Sequence, residues 1–501
     1  MWPNALAETG LPYLERIVQA DKTLAPVTPP AFSLQHIPIH PRSVKGPFRN
    51  FKTAMLLLAF AVYFVLPWVP WERHGVIPNQ AVLFDMVGRR FFIFDMALFP
   101  QDLISLSLLL FVSAATLFFV TGLVGRAFCG YFCFQTIWTD AFIFIESWIQ
   151  GERPARLRLH KQPWNLEKTS KKFATHSLWL ALSFWTACTF ILFFGYAPEL
   201  TARFFAGSLP SVAYFTVLII TLTTYAGAGL LREQVCILWC PYARFQGVMV
   251  EPETLIPYYD VRRGEGTAGR ATHRKGLQTL EERHARGVGD CIDCNLCVQV
   301  CPAGIDIRKG MQYPCISCGL CVDACNTVMA SMGYPRGLVR YDSEINIESA
   351  APGKAHLDLL RLRTVGYGVA ILVMTGVLVY NLASRSDVQL SIQPVRQPLF
   401  VLMSNGDIRN RYQIHITNKS VEEHGYHIAV RGVPERALDI GAMSDVNVRP
   451  GKSLLVLASV TLSPAEVQTI GEFEFVVTAR NKPDQPMVKK VRFNSKAEGQ
   501  Y

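Results

Sequence analysis

Long apolar runs dominate the first half of the chain and recur once before its last quarter. Five runs are long enough to cross a hydrocarbon core, which needs about 20 apolar residues, and they cover residues 52–70, 102–124, 175–195, 210–231 and 362–382. The first run lacks a small-residue cleavage site, so we interpret it as a membrane anchor and not as a secretion signal. The pattern predicts a polytopic α-helical membrane protein with about five spans.

Composition agrees with this prediction. Half of the 501 residues are hydrophobic and only 18% are charged, which argues against an ordinary soluble protein. Lys and Arg number 6, 8 and 16 in segments 1–52, 125–174 and 232–363, but only 3 and 1 in the two loops on the other side. Basic loops stay in the cytoplasm. The bias therefore predicts a cytoplasmic N-terminus and a C-terminal domain on the opposite side of the membrane, and it gives no reason to expect nucleic-acid binding.

The spans divide the chain into five parts. After the last span, apolar and polar residues alternate in about six short runs separated by turn residues such as Asn405-Gly406, which is typical of an antiparallel, immunoglobulin-like β-sandwich. The predicted parts are a cytoplasmic N-terminal arm at 1–50, four transmembrane helices at 51–232 with a cytoplasmic loop at 125–174, a cytoplasmic ferredoxin domain at 233–361, a fifth transmembrane helix at 362–382, and a periplasmic β domain at 383–501.

Eight of the thirteen cysteines form two identical motifs. Residues 291–302 read CIDCNLCVQVCP and residues 315–326 read CISCGLCVDACN. The spacing C-x2-C-x2-C-x3-C is the ligand run of bacterial ferredoxins with two [4Fe–4S] clusters, in which the fourth cysteine of each run binds the other cluster. A pair of zinc sites is the alternative, but zinc would not require two runs with the same gaps. The predicted ligand sets are Cys291, Cys294, Cys297 and Cys325 for one cluster, and Cys315, Cys318, Cys321 and Cys301 for the other.

Four further cysteines form two C-x3-C pairs at the predicted cytoplasmic ends of the second and fourth spans. The pairs are Cys129/Cys133 and Cys236/Cys240, 107 residues apart and each followed by Phe-Gln, which indicates an internal repeat. Residues four apart on a helix are too far apart for an unstrained disulfide. Brought together, the four thiols would form a soft site suited to Cu(I), zinc or another iron–sulfur centre. The alternative is that they pack as small hydrophobic residues, as we expect for the remaining Cys188.

The order of these parts resembles the cytochrome c oxidase accessory protein family, also called CcoG, FixG or RdxA. The resemblance runs from about residue 35 to the end and includes HPRSVKGPFRNFK, FPQD, both C-x3-C pairs, both cluster runs, YPRGLVRYDSE at 334–344 and the final β domain. It implies a membrane-bound polyferredoxin of the bacterial inner membrane, required for assembly of the cbb3-type oxidase, with Cu(II) reduced to Cu(I) in the cytoplasm and the C-terminal β domain in the periplasm. The implied site residues are the eight cluster cysteines and the two C-x3-C pairs.

The sequence-based hypothesis is therefore a cupric reductase. An unidentified cytoplasmic donor would supply electrons, the thiols of the C-x3-C pairs would hold Cu(I), and the implied partners are a copper chaperone or transporter and the oxidase assembly machinery. Self-association is compatible with the sequence. Two alternatives stay open: a conduit linked to quinol or quinone, with Asp140 and Glu146 as the nearest proton carriers, and a copper-holding scaffold without catalysis.

Overall fold

The computed structural model describes residues 39–495, apart from residues 73–78, 87, 89, 100, 101, 350–354, 356–358, 385–387, 420–422, 442 and 450. The chain divides into two compact units, residues 1–40 and residues 41–501. Nearly all of the first unit, and with it most of the predicted N-terminal arm, lies outside the described residues. The helices and strands below belong to the second unit.

Helices make up most of the part between residues 47 and 383. Two π-helical turns, Tyr225–Leu231 and Val235–Trp239, interrupt the series after the eighth helix. The α-helices are α1 Pro47–Val65, α2 Leu103–Val124, α3 Ala127–Tyr131, α4 Phe134–Gln150, α5 Arg153–Lys161, α6 Leu166–Leu192, α7 Ala197–Phe205, α8 Ser211–Thr224, α9 Pro241–Met249, α10 Val261–Glu265, α11 Leu280–Ala285, α12 Leu296–Gln299, α13 Leu320–Ser331, α14 Glu344–Glu348, α15 Leu362–Ala383 and α16 Pro464–Val467.

Six helical stretches in the described part of the chain are long and apolar enough to cross a membrane. Five of them, built on α1, α2, α6, α8 and α15, match the five predicted runs, although α6 begins earlier than predicted. The sixth stretch, Ala127–Gln150, comprises α3 and α4 and falls inside the segment predicted as a cytoplasmic loop. These helices make the chain a membrane protein, and they confirm the predicted polytopic α-helical class.

The sixth stretch begins and ends on the same side of the helix bundle. At its start, Tyr131 donates a hydrogen bond from Oη to the carbonyl oxygen of Cys318 at 2.9 Å. Just beyond its end, Glu152 accepts a hydrogen bond from Oγ of Ser43 at 2.8 Å. Next to Ser43, the backbone N–H of Arg42 donates to the carbonyl oxygen of Gln299 at 2.8 Å. Gln299 belongs to the predicted ferredoxin domain at 233–361, which carries both cysteine runs and which we call the cysteine-run unit. Both ends therefore lie beside the cysteine runs.

The cysteine-run unit is fixed to the membrane helices at the start of α1. The backbone N–H of Arg49 donates to Oδ2 of Asp323 at 2.8 Å, so a carboxylate from α13 caps α1. Glycine at position 46 permits this approach, because a Cβ there would clash with Cγ of Asp323. Phe48 of α1 packs against a core of the unit in which Tyr259, Met329 and Leu338 are buried. These contacts hold the cluster motifs against the bundle.

The strands form four antiparallel sheets. β1 (Val82–Asp85), β2 (Arg90–Ile93) and β3 (Met96–Leu98) make a small sheet between α1 and α2, and β4 (Ile256–Tyr259) pairs with β5 (Val339–Asp342) in the cysteine-run unit. The remaining strands are β6 Val388–Pro394, β7 Val401–Leu402, β8 Ile408–Asn418, β9 His424–Arg431, β10 Leu438–Asp439, β11 Asp445–Val448, β12 Ser453–Leu462, β13 Glu472–Ala479 and β14 Lys482–Arg492.

These last nine strands form a two-sheet sandwich. One sheet has the order β10-β12-β8-β6, with β7 also paired to β8, and the other has the order β11-β9-β13-β14. Alternate residues of β8 and β13 point into a common core and are almost completely buried, as the period of two requires. They are Tyr412, Ile414 and Ile416 on β8, and Phe473, Phe475 and Val477 on β13. The structure confirms the predicted C-terminal sandwich.

Candidate functional site

The eight motif cysteines line two neighbouring cavities. The first is lined by Cys291, Cys294, Cys297 and Cys325, which we call the first cysteine group. The second is lined by Cys301, Cys315, Cys318 and Cys321, which we call the second cysteine group, and Cys297 reaches this cavity as well. Each group contains three cysteines of one run and the last cysteine of the other. This arrangement fits the ligand sets expected for two [4Fe–4S] clusters.

The two runs adopt the same backbone conformation. The second residue after the first cysteine has positive φ in both, at Asp293 and Ser317, each 49°. The fourth residue does so as well, at Asn295 (58°) and Gly319 (70°), and it caps the helix that carries the third cysteine. Left-handed conformations let a short loop fold its thiols around one point, and Asp, Asn and Gly adopt them most easily.

Burial shapes the acidity of these thiols. It raises the pKa of Cys297, Cys301 and Cys325 to about 12 and that of Cys315 to about 11. A thiol of this kind gives up its proton when a metal replaces it, because the thiolate is the ligand form. Arg308 lies beside Cys297 and acts in the opposite direction, lowering its pKa. The donor set therefore fits iron–sulfur clusters, with a cation near the first cavity.

The two C-x3-C pairs occupy equivalent positions in the fold. Cys133 is the N-cap of α4 and Cys240 is the N-cap of α9, and both have extended backbone angles. Each pair therefore spans a break between helical segments and does not lie on one regular helix. Upstream of each pair, at positions 107 residues apart, the chain turns with positive φ at Gly125 (60°) and at Arg232 (44°). Positive φ at a non-glycine residue such as Arg232 is strained and often marks a functional site.

Two glutamines join the repeats by a reciprocal exchange of hydrogen bonds, in which the glutamine of each repeat bonds to residues of the other. Gln135 of the first repeat donates from Nε2 to the carbonyl oxygens of Gly227 (2.7 Å) and Arg232 (3.1 Å) in the second. Gln246 of the second repeat accepts a hydrogen bond from Sγ of Cys129 at 2.8 Å and donates to Oγ1 of Thr121 at 3.0 Å in the first. The Phe-Gln pairs in the sequence mark the repeat but give no indication of this exchange. It holds the two C-x3-C pairs together.

The four thiols Cys129, Cys133, Cys236 and Cys240, which we call the membrane thiols, are close neighbours. Burial raises the pKa of Cys236 to about 12, and the other three thiols each raise it further through their charge. All thirteen cysteines lie within the described residues and are free. In that part of the chain, no three His, Cys, Asp or Glu side chains are grouped closely enough to hold a single metal ion. The membrane thiols are therefore adjacent without forming a ready-made four-ligand site.

The membrane thiols are packed directly against the second cysteine group. Cys129 and Cys318 belong to one buried cluster. Between them, Gly130 approaches so closely that a Cβ on it would lie 2.7 Å from the carbonyl oxygen of Ile316. Tyr131, the next residue, donates its hydroxyl hydrogen bond to the carbonyl of Cys318. The first C-x3-C pair and the second cavity are thus in van der Waals contact through the backbone.

Two buried carboxylates on α4 neutralise cations from other elements. Asp140 accepts from Nη1 of Arg49 at 2.9 Å and from Nζ of Lys52 at 3.3 Å. Glu146 pairs with Arg232 at 2.7 Å. The sequence had singled out Asp140 and Glu146 only as the nearest candidate proton carriers. In the structure both are buried ion-pair partners, which explains how a charged helix enters the apolar bundle.

Comparison with known proteins agrees with this geometry. A family described as a 4Fe-4S dicluster domain matches residues 231–344, and a family described as an Ig-like fold at the C-terminus of FixG matches residues 378–496. The chain is 39% identical to protein RdxB and 40% identical to protein RdxA of Cereibacter sphaeroides, over 80% and 79% of its length and 84% and 82% of theirs. It is 37% identical to the nitrogen fixation protein FixG of Rhizobium meliloti, over 85% of its length and 86% of that protein's.

Proposed function

The chain belongs to the family of RdxA, RdxB and FixG, and from that premise we propose that it reduces Cu(II) to Cu(I) for assembly of a cbb3-type cytochrome c oxidase. Its dicluster domain and apolar helices make it a membrane-bound iron–sulfur electron-transfer protein. The observation that carries the copper proposal is the contact of the membrane thiols with the second cysteine group. Soft thiolates prefer Cu(I), and here they lie next to a source of electrons.

The proposed orientation has the cysteine runs in the cytoplasm and the β-sandwich in the periplasm, across the bacterial inner membrane. The basic segments next to the spans support it. This orientation requires an odd number of membrane crossings between the N-terminus and the β-sandwich. The stretch Ala127–Gln150 leaves the bundle on the side where it entered, so five of the six apolar stretches are counted as crossings.

The proposed ligands of the two clusters are the first and second cysteine groups. When bound, the clusters supply one electron at a time at potentials set by nearby charge, hydrogen bonds and burial. Arg308 lines the first cavity, and Arg126 lowers the pKa of Cys315 beside the second. Both cations would stabilise the reduced, more negatively charged state of a cluster near them and so raise its reduction potential.

The membrane thiols provide the proposed copper site. Cu(II) takes up one electron and becomes Cu(I), and the thiols then hold the softer ion. Cys129 is buried and bonded to Gln246, whereas Cys133, Cys236 and Cys240 are half-buried and open to an incoming ion. The proposed partners are a cytoplasmic electron donor, a copper chaperone or transporter, and the oxidase assembly machinery, with the β-sandwich as the docking surface.

Paired substitutions test the copper site. Cys236→Ser together with Cys240→Ser should abolish copper binding and leave the iron content unchanged, because neither residue lines a cluster cavity. Cys188→Ser is the matched control, since Cys188 is also a half-buried thiol of the helix bundle but lies apart on α6. Copper and iron per chain are measured by elemental analysis. Unchanged copper in the double variant would remove these thiols from the proposal.

A further inference from the structure

A cavity lies between α4, the π-helical turn that carries Cys236, and the loops of the second cysteine group. Its apolar wall includes Ile143 from α4, Ile237 from the turn, and Pro302 and Ile316 from the loops. A mostly apolar cavity with a few polar groups is the usual form of a small-molecule site. Its position inside the helix bundle suits a ligand that dissolves in the membrane.

The charges on the cavity wall cancel. Two cations, Lys52 and Arg232, line it together with two carboxylates, Asp140 and Glu233. A balanced wall does not concentrate metal ions, because attraction by the carboxylates is opposed by the two cations. The cavity therefore favours a neutral ligand with an apolar body and polar ends.

One polar atom at this cavity is buried and unsatisfied. Oδ1 of Asp140 takes both cationic contacts, from Arg49 and Lys52. Oδ2 has no hydrogen-bond partner among the described residues, and the residue is only 7% exposed. A buried acceptor without a partner costs free energy. A ligand hydroxyl in the cavity would satisfy Oδ2.

Asp140 also connects the cavity to a larger one. A second cavity is lined by Asp140, Ile143 and Pro302 as well, and although most of its surface is apolar it also contains charged residues such as Arg42 and Glu152. The two cavities therefore meet at Asp140. A proton released in the apolar cavity can pass from this carboxylate into the larger one, whose wall includes Glu152.

We propose that the apolar cavity binds the head group of a quinol, with Oδ2 of Asp140 accepting a hydrogen bond from one of its hydroxyl groups. Oxidation of the quinol to the quinone breaks two O–H bonds and releases two electrons and two protons. The two electrons would pass one to each of the iron–sulfur clusters that the two cysteine groups would hold, and the protons would leave one after the other through Asp140 and the larger cavity. Quinol binding would be a function additional to copper reduction, and the proposal of a quinol site does not depend on the copper proposal.

Photolabelling of the full-length protein tests the site. The protein, with its iron content verified, is placed in lipid nanodiscs, labelled with an azido-ubiquinone analogue and digested for mass spectrometry. We expect label on residues 135–143 and 232–237, and protection by excess decylubiquinone. Asp140→Asn should reduce the labelling about tenfold, the effect of losing one hydrogen bond to a charged group.

A cavity-filling variant provides the second measurement. Ile143→Trp should block labelling of the same peptides, whereas Leu110→Trp on the exposed face of α2 should leave it unchanged. Label around Cys188, or label spread evenly over the exposed faces of the helices, overturns the proposal, and so does labelling that ignores Ile143→Trp. If a variant loses its iron, the position of the label on the unmodified chain alone tests the proposed quinol site. Copper reduction with dithionite, measured on the same preparation, tests the proposed function separately.

Discussion

Replacing Gly130 with alanine should separate the membrane thiols from the second cysteine group. The added Cβ would lie 2.7 Å from the carbonyl oxygen of Ile316, 3.1 Å from Cα of Cys318 and 3.3 Å from its Cβ. Two of these three atoms belong to the backbone, so a side-chain rotation cannot relieve the contact. Ordinary van der Waals contact begins at 3.4 Å, and the two segments must therefore move apart by about 0.7 Å, the difference between 3.4 Å and 2.7 Å.

The free-energy cost of Gly130→Ala follows from the close packing around Gly130. Adding a methyl group to a closely packed interior destabilises a protein by about 1–3 kcal/mol, and alanine recovers up to about 1 kcal/mol of this through its higher helix propensity. Gly122 provides the matched control, because it lies in the last turns of α2 and a Cβ there meets nothing within 4 Å. Gly122→Ala gains the helix propensity without the clash. The two variants should therefore differ by about 1–3 kcal/mol.

The assay is thermal loss of the cluster absorbance in the purified full-length protein. Gly130→Ala should lose its clusters at a temperature roughly 1–3 °C below that of Gly122→Ala, because an unfolding entropy of about 2.1 cal/mol/K per residue makes 1 kcal/mol worth about 1 °C in a chain of 501 residues. Its single-turnover reduction of Cu(II) should also be slower, because the thiols lie further from the second cavity. Equal midpoints for the two variants would refute the claim that this contact is tight.

Three further outcomes follow from the site. Cys325→Ser should remove one cluster and Cys301→Ser the other, so each should halve the iron per chain and abolish a different EPR signal; loss of the same signal in both would contradict the ligand sets. Glu146→Ala should destabilise the protein by about 3–5 kcal/mol, because it leaves buried Arg232 without its carboxylate. Glu167→Ala, which breaks an exposed pair with Lys171, should change stability by less than about 1 kcal/mol in the same thermal assay.

The sequence was sufficient where one local pattern determines one structure. The twin cysteine runs predict two ligand sets, because two runs with identical gaps are typical of paired clusters, and each set lines one cavity in the structure, with Cys297 at both. Alternation predicted β7, β8, β9, β12, β13 and β14. It did not predict β6, β10 or β11, because β10 and β11 are short and β6 is mostly half-buried along one edge of its sheet.

The sequence was insufficient where contacts between residues far apart in the chain determine the structure. Asp140 and Glu146 made Ala127–Gln150 resemble an amphipathic cytoplasmic segment, since their cationic partners come from α1 and from the turn after α8. The exchange between Gln135 and Gln246 depends on tertiary contacts that no spacing reveals. The cavity beside Asp140 likewise exists only because three separate segments meet there.

Anaerobic reduction of Cu(II) tests the central claim most directly. The protein is purified with both clusters intact, reduced with dithionite and freed of excess reductant; Cu(II) is then added while cluster absorbance and EPR are followed and Cu(I) is trapped by a chelator. We predict that the clusters reoxidise as Cu(I) appears, with one Cu(I) formed for each electron lost, and that added reductant sustains further turnover. Clusters that stay reduced in the presence of Cu(II) would contradict copper reduction by this protein.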